Sequence, residues 1–404
     1  MHTLLIHQPF VCPTDPGGTR HYELGRRLVE SGNSFTIIAG DVAYFSGEAH
    51  PESQQFDGVR VLRAKTWGGL QKSYLQRIFS FLSFMINCIP VALRAKDVDV
   101  VMGTSPPIFQ AFSAWMISVL KWRPFLLEIR DLWPEFAVDI GLLKNPVLIW
   151  VARRLERFLY RRATHILVNS PAYRDYLVDL GIPAGKISFI ANGVDVSMFE
   201  SNSSVNSNIR SEFKLDDKFV VTYAGALGMA NDIDTVLQAA AHLSDVESVH
   251  FLIVGDGKER ERLEAMQQEL SLDNVTFAGP RPKSEMPAIL ESSDACVATL
   301  KNIPMFKTTY PNKVFDYMAA ARPTILGIDG VIREVVEHAD GGIAVTPGDS
   351  AELADAVLTI YRDPETGKRM GTSARDYVAE HFDRDQHARQ LRDLLQDIKT
   401  KSAA

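Results

Sequence analysis

Lys313 and Asp316 stand three residues apart in the run Thr308–Ile325 (TTYPNKVFDYMAAARPTI), which reads as a loop opening a helix at Pro311–Asn312. At that spacing an ammonium and a carboxylate share one helical face. The first turn of a helix also presents free N–H groups to an anion. The combination suits a ligand that carries phosphate and hydroxyls together. Val314, Phe315, Met318 and Ala319 fall on the other face, which would seat the helix on a sheet.

A second cluster is RDLWPE, Arg130–Glu135, directly after an apolar strand, where open α/β sheets place their ligands. Asp131 and Glu135 are the residue types that orient an acceptor hydroxyl or take its proton. Arg130 can pair with either carboxylate or with a phosphate, and a buried structural Asp–Arg pair fits the same residues equally well. Asp15–Arg20 (DPGGTR) lies between the first strand and a helix. Gly17 and Gly18 there let the backbone approach a phosphate, or simply make a flexible turn. This is not the G-x-G-x-x-G dinucleotide fingerprint, which counts against NAD. Gly255 and Gly257 read as a sharp strand-to-helix turn. Arg281 and Lys283, in GPRPKSEM, could reach a diphosphate or remain solvated.

Such groups need a scaffold to bring them together. At 404 residues the chain is long for one core, and two domains of about 200 residues each are expected. Apolar runs alternate with helical patterns. The first series of strands is Leu4–His7, Phe35–Ala39, Val59–Leu62, Val98–Met102, Phe125–Ile129, His165–Val168 and Ile187–Ile190. The second is Phe219–Ala224, Val249–Val254, Val275–Ala278, Ala295–Ala298, Thr324–Leu326 and Ile343–Val345. The fold class is therefore α/β, each half a doubly wound parallel sheet. The Ser/Asn-rich stretch Ser201–Asn208 reads as a linker. From Ser350 onward the pattern is helical, started by Asp349 with Glu352 in capping-box spacing and interrupted at Pro364.

Composition is that of a soluble globular protein, and the N-terminus lacks the basic leader and cleavage site of a signal peptide. Cys12, Cys88 and Cys296 have no metal-ligand spacing, which fits a reducing cytoplasm. Charge is uneven. From Gly58 to Ala163 sixteen Lys/Arg face seven Asp/Glu, so the rest of the chain carries the whole of the net −7 and more. One basic half points to an anionic surface met by that half alone. Leu70–Lys96 is rich in Leu75, Ile78, Phe79, Phe81, Leu82, Phe84, Met85 and Ile86 with no acid. Asn145–Arg162 sets Trp150, Phe158 and Tyr160 beside five arginines. Both read as basic amphipathic helices of a kind that lies on anionic lipid, or as core-facing helices with a solvated basic edge. Neither has the roughly 20 uninterrupted apolar residues of a spanning helix.

Taken in order, DPGGTRHYELGRRL, RDLWPE, ANGVD (Ala191–Asp195), YAGALG (Tyr223–Gly228), LIVGDG and PNKVFDYMAAARPTI resemble glycosyltransferase family 4 over nearly the whole chain. The RDLWPE and PNK motifs are similar to those of bacterial L-fucosamine-type N-acetylhexosaminyl transferases of surface polysaccharide synthesis. The resemblance implies the GT-B fold, two Rossmann-like domains facing a cleft. The expected N-terminal acceptor domain is 1–198, with 382–404 returning to it, and the expected C-terminal nucleotide-sugar domain is 199–381. It implies a retaining transfer from a UDP-sugar to a polyprenyl-diphosphate-linked saccharide, in O-antigen or capsule synthesis, with no cofactor and no essential metal.

The implied donor residues are Gly17, Gly18, Gly225, Arg281, Asn312, Lys313 and Asp316, the diphosphate lying between the Gly17–Gly18 loop and the start of the Lys313 helix. The implied acceptor residues are His21, Arg130, Asp131 and Glu135. Catalysis is expected from Asp131, Glu135 and Lys313. The partners implied are the UDP-sugar, the lipid-linked saccharide and an anionic membrane surface, with no nucleic acid. The expected location is cytoplasmic, peripheral on the inner face of the membrane. The chain departs from the family pattern at two places. Thr308 stands where the first of two acids belongs, and Met229 and Asn231 replace an Arg and a Lys, which throws diphosphate neutralisation onto Lys313 with Arg281 or Lys307. A UDP-sugar 2-epimerase of the same fold and a catalytically lapsed sugar-nucleotide-binding regulator are the alternatives.

Overall fold

Strands buried on both faces read as unbroken apolar runs because helices cover them above and below, and two such sheets organise this chain. The computed structural model describes residues 1–12, 17–42, 49–67, 74–200 and 209–403. Asp15, Pro16, Leu70, Lys72 and the expected linker Ser201–Asn208 lie outside the described residues. The first unit comprises Met1–Ala191 with Arg384–Ala404, and the second Asn192–Asp383.

In the first unit the order is β1 (His2–Ile6), α1 (Arg20–Glu30), β2 (Ser34–Gly40), β3 (Ser53–Phe56), β4 (Val59–Ala64), α2 (Tyr74–Leu93) and β5 (Val100–Ser105). There follow α3 (Ile108–Lys121), β6 (Phe125–Ile129), α4 (Glu135–Asp139), α5 (Pro146–Arg162), β7 (His165–Val168), α6 (Pro171–Asp179) and β8 (Ile187–Phe189). Its sheet runs β3-β4-β2-β1-β5-β6-β7-β8, parallel except for β3. The polar β3 (SQQF) escaped the apolar pattern. It pairs antiparallel with β4 through Asp57 and Gly58, both with φ in the left-handed region (45° and 81°), the backbone a two-residue hairpin turn requires.

The second unit holds α7 (Ile209–Glu212), β9 (Phe219–Ala224), α8 (Ile233–His242), β10 (Val249–Val254), α9 (Arg260–Glu269), β11 (Val275–Gly279) and α10 (Met286–Glu291). It continues with β12 (Ala295–Thr299), α11 (Asn312–Ala319), β13 (Thr324–Gly327), α12 (Val331–His338), β14 (Gly342–Ala344), α13 (Ser350–Arg362) and α14 (Pro364–His381). Its sheet, β11-β10-β9-β12-β13-β14, is wholly parallel. The last helix, α15 (Arg384–Ala403), belongs to the first unit, where Ala388, Leu391, Leu395 and Ile398 join Leu24 and Leu28 of α1 in the core.

The division falls before Asn192 and after Asp383, where the sequence reading placed it after residues 198 and 381. Three contacts explain the difference. Asn192 Nδ2 donates to the Tyr310 carbonyl at 2.7 Å, the Val194 N–H to the Phe382 carbonyl at 2.9 Å, and Val194 bridges to Asp383. Helix starts follow the sequence with one change. Asp349 accepts from the Ala351 and Glu352 N–H groups at 3.0 and 2.9 Å, but the Glu352 carboxylate takes the Thr346 N–H at 2.8 Å instead of returning to Asp349.

Candidate functional site

In an open α/β sheet the crevice forms where strand order reverses, because the loops on either side leave toward opposite faces. In the second unit that point lies between β9 and β12. Helix α11 starts at Asn312 behind Pro311, and its apolar face (Val314, Phe315, Met318, Ala319) is fully buried, as the pattern requires. The buried Tyr317 fixes it further, its hydroxyl accepting from the Ala224 N–H at 2.8 Å and donating to the Ala224 carbonyl at 3.0 Å.

So anchored, α11 sets Lys313 over the switch point. Its Nζ donates to the Tyr223 hydroxyl at 2.6 Å and to Asn231 Oδ1 at 3.0 Å, and lies 4.1 Å from the centre of the Tyr223 ring. Burial pushes the Tyr223 phenol up, so it stays a neutral hydroxyl. Both hydrogen-bond partners of the ammonium are therefore neutral, and burial lowers Lys313 from 10.5 to about 7. A cation held with no compensating carboxylate is prepared for an anion. Gly225 makes room for it, since a Cβ there would stand 3.1 Å from Lys313 Cε and Nζ. Gly255 must also be glycine, with φ at 143° and the Gly225 carbonyl 1.8 Å from any Cβ.

Asp316 faces Lys283, whose Nζ lies 2.5 Å from Oδ2. Arg281 departs from expectation. Its guanidinium is engaged by Glu212 and by Glu285 (3.4 Å) and stacks 5.5 Å from the Phe213 ring. Lys307 pairs with Asp329 at 3.4 Å, and Asn312 is exposed. Thr308 turns its hydroxyl onto the Met305 carbonyl at 2.6 Å, a local turn contact and not a substitute for an acid.

In the first unit the strand order reverses between β1 and β5. Glu128, on β6 and fully buried, receives Arg20 Nε at 3.2 Å and His21 Nε2 at 2.5 Å. Arg20 also donates to the Ala191 and Ile190 carbonyls at 2.6 and 3.1 Å. Burial holds His21 below its ordinary value, so at neutral pH the ring is uncharged and its Nε2–H donates to Glu128. Burial alone would raise the Glu128 carboxyl. Its contacts with His21 and Arg20, and the nearby Arg130, more than offset this and keep it ionised.

The RDLWPE residues separate. Burial pushes Asp131 up to about 6, against the opposing pull of Arg130 and a hydrogen bond with Tyr173. Glu135 is bound bidentately by Arg153, both contacts at 2.8 Å, which joins α4 to α5. Arg130 spends its donors on Thr104 Oγ1 (2.8 Å) and the Pro106 carbonyl (3.4 Å), so the pairing with a carboxylate that the sequence allowed is not its contact. Gly17 takes φ of 133°, Gly18 is exposed, and both stand just ahead of α1.

Residues 17–193 match the family described as Glycosyl transferase 4-like domain, and residues 205–377 the family described as Glycosyl transferases group 1. The glycosyl transferase WcaI of Escherichia coli (strain K12), named for colanic acid biosynthesis, is 23% identical over 349 residues, 84% of each chain. Sucrose-phosphate synthase of Thermosynechococcus elongatus superposes with a TM-score of 0.79 at 20% identity, covering 99% of both chains. HepE of Anabaena, solved in complex with UDP-glucose, gives 0.74 at 19% identity, over 98% of this chain and 100% of that one. The chain is a glycosyltransferase with the GT-B fold.

Within the transferase, the sequence reading placed Lys313 and Asp316 on one helix but missed what holds them. Asn231, noted only for replacing a cation, is an acceptor for Lys313, and Lys283 is the partner of Asp316. Glu128 was missed altogether, although a carboxylate inside the apolar strand FLLEI was a signal that a buried partner must exist. Among the described residues no group of three or more His, Cys, Asp or Glu is placed to hold a metal ion.

Proposed function

We propose that this transferase moves a sugar of the N-acetylhexosamine type from a UDP-sugar to a polyprenyl-diphosphate-linked saccharide, with retention, in synthesis of a surface polysaccharide. The observation that carries the reading is Lys313, a half-buried cation with neutral hydrogen-bond partners at the switch point of the second unit. HepE, of like fold, was solved with UDP-glucose, and WcaI is named for polysaccharide synthesis. The L-fucosamine-type subgroup remains the finer form of the proposal.

In the proposed step the bond from the anomeric carbon to the diphosphate oxygen breaks as the acceptor oxygen bonds on the same face. The departing phosphate oxygen takes the acceptor proton, so a second carboxylate is not required. Lys313 and the N–H groups at the start of α11 stabilise the leaving diphosphate without a metal. Asp316, oriented by Lys283, holds the ribose hydroxyls, and Asp131 orients the acceptor hydroxyl in the first unit.

A membrane surface as partner is supported by the exposed apolar side chains of the basic half. By length and composition Gln76–Leu93 suffices to cross a membrane, yet Phe84, Cys88 and Ala92 on one side of α2 are buried in the first unit. On another line of the same helix Phe79, Ile86 and Leu93 are 61%, 63% and 44% exposed. Trp122 after α3 and Val147, Leu148 and Trp150 on α5 are also exposed, with Arg154 stacked 5.3 Å from the Trp150 ring. Aromatic and aliphatic groups among arginines suit the interface of anionic lipid. The protein is expected to float with phosphatidylglycerol vesicles and to lose much of that binding when Trp150, Arg154 and Arg157 are replaced together by Ser, Glu and Glu. Failure of the wild-type protein to float would refute the membrane reading.

The reaction is tested by offering a panel of UDP-sugars with short-chain polyprenyl-diphosphate-linked saccharides. Product that requires the acceptor supports transfer. Conversion of the UDP-sugar in its absence would point to the epimerase instead.

A further inference from the structure

His7 is the first residue after β1, at the point where the strand order of the first sheet reverses. The ends of β1 and β5 are tied beside it, the Gln8 N–H donating to Gln110 Oε1 at 2.7 Å and Gln110 Nε2 to the Thr104 carbonyl at 2.8 Å. The imidazole is only 4% exposed, lies 4.4 Å from the His21 ring centre, and has a buried Nδ1 without a hydrogen-bond partner.

Several other histidine rings of the described residues are held by the protein. His2 binds the Lys96 carbonyl and Thr36, His21 binds Glu128, His165 binds Ser188 and His250 binds Thr276. A buried polar atom left unsatisfied is costly, and an apolar side chain would fill the space at less expense. The orphan nitrogen also fixes the tautomer. A buried N–H without an acceptor is rarer than a lone pair without a donor, so the proton sits on Nε2. Burial above all, with the nearby Arg130, keeps the ring uncharged, which leaves Nε2–H as a neutral donor. The charges linked to it balance, with Arg20, Arg130 and Arg384 set against Glu128, Asp131 and Glu23. A balanced cluster favours an uncharged polar ligand over a phosphate.

We propose that His7 binds the acceptor, its Nε2–H donating to a hydroxyl oxygen of the saccharide at the β1/β5 switch point. The assignment rests on the transferase reading above and adds to it a residue and a subsite in the first unit. Lys313 and Asp316 serve the nucleotide in the second unit, so His7 should govern acceptor recognition and leave UDP binding untouched.

The test uses the full chain with UDP as the binding probe and, for transfer, the UDP-sugar and polyprenyl-diphosphate-linked N-acetylhexosamine that give product with the wild type. His7→Phe should raise the acceptor KM about tenfold, the worth of one neutral hydrogen bond, with the Kd for UDP unchanged. His7→Gln sets an amide N–H near the place of Nε2 and should recover most of the loss. His7→Asn sets it near Nδ1 and should not. A wild-type acceptor KM in His7→Phe, or Gln and Asn variants that behave alike, would overturn the assignment while leaving the transferase intact. Should His7→Phe not fold, the Gln and Asn pair decides alone. A wild-type protein that transfers sugar to no saccharide would overturn both readings together.

Discussion

Replacing Lys313 by Ala is expected to lower kcat by roughly 10²–10³-fold, the loss that follows removal of one preorganised stabiliser of a leaving oxyanion. The acceptor KM should hardly move, because the acceptor is assigned to the other unit. The other cations that the sequence nominated for the diphosphate are already engaged. Arg281 is committed to Glu212 and Glu285, Lys307 to Asp329, and Lys283 to Asp316. Nor should Lys313→Arg rescue turnover, since Gly225 already lies where even a Cβ would stand 3.1 Å from Nζ, and a guanidinium needs more room than an ammonium. Turnover of Lys313→Ala close to wild type would remove the diphosphate assignment.

Lys313 also predicts a pH dependence. In the free protein burial lowers it to about 7, and a bound diphosphate favours its charged form. Below that value the ammonium is already present. Above it, binding must take up a proton, so UDP affinity should fall by about tenfold per pH unit as pH rises.

Replacing Glu128 by Ala is expected to cost about 3–5 kcal/mol of first-unit stability, because it leaves a buried guanidinium without its carboxylate. The contact is more than a local ion pair. Arg20 carries α1 onto β6 and also caps the Ile190 and Ala191 carbonyls at the end of the first unit. Glu128→Gln keeps an acceptor for one partner but not the charge, and should fall between the two. Since the folded carboxyl titrates below its ordinary 4.5, this contribution is complete above that pH and is lost only as the solution becomes more acidic. Hydrogen exchange of the β1 and β6 amides reads the effect separately from the second unit. Protection unchanged in Glu128→Ala would contradict it.

How much of this could be read from residues alone depended on the range of the interaction. Strands such as Phe125–Ile129, His165–Val168 and Phe219–Ala224 were legible to the residue, because burial on both faces of a parallel strand leaves an unbroken apolar run. β3 was not, since an edge strand can be polar, and its Asp57–Gly58 turn was the better clue. Within the site, the placement of Lys313 and Asp316 followed from helical spacing. Their partners came from Tyr223, Asn231 and Lys283, far away in sequence, and no local pattern names them. RDLWPE located the end of β6 correctly but not the division of labour there. Glu135 pairs with Arg153, a choice set by how α5 packs, whereas Asp131 is half-buried with its carboxyl raised to about 6. Thr308 remains the largest departure from the family pattern, and its hydroxyl donates to the Met305 carbonyl within its own turn.

Whether Lys313 is the cation for the donor diphosphate is decided by calorimetric titration of UDP at pH 8.5 in two buffers of different ionisation enthalpy. The wild type should bind with uptake of close to one proton, and Lys313→Ala should bind little. UDP binding without proton uptake, undiminished in Lys313→Ala, would contradict the assignment.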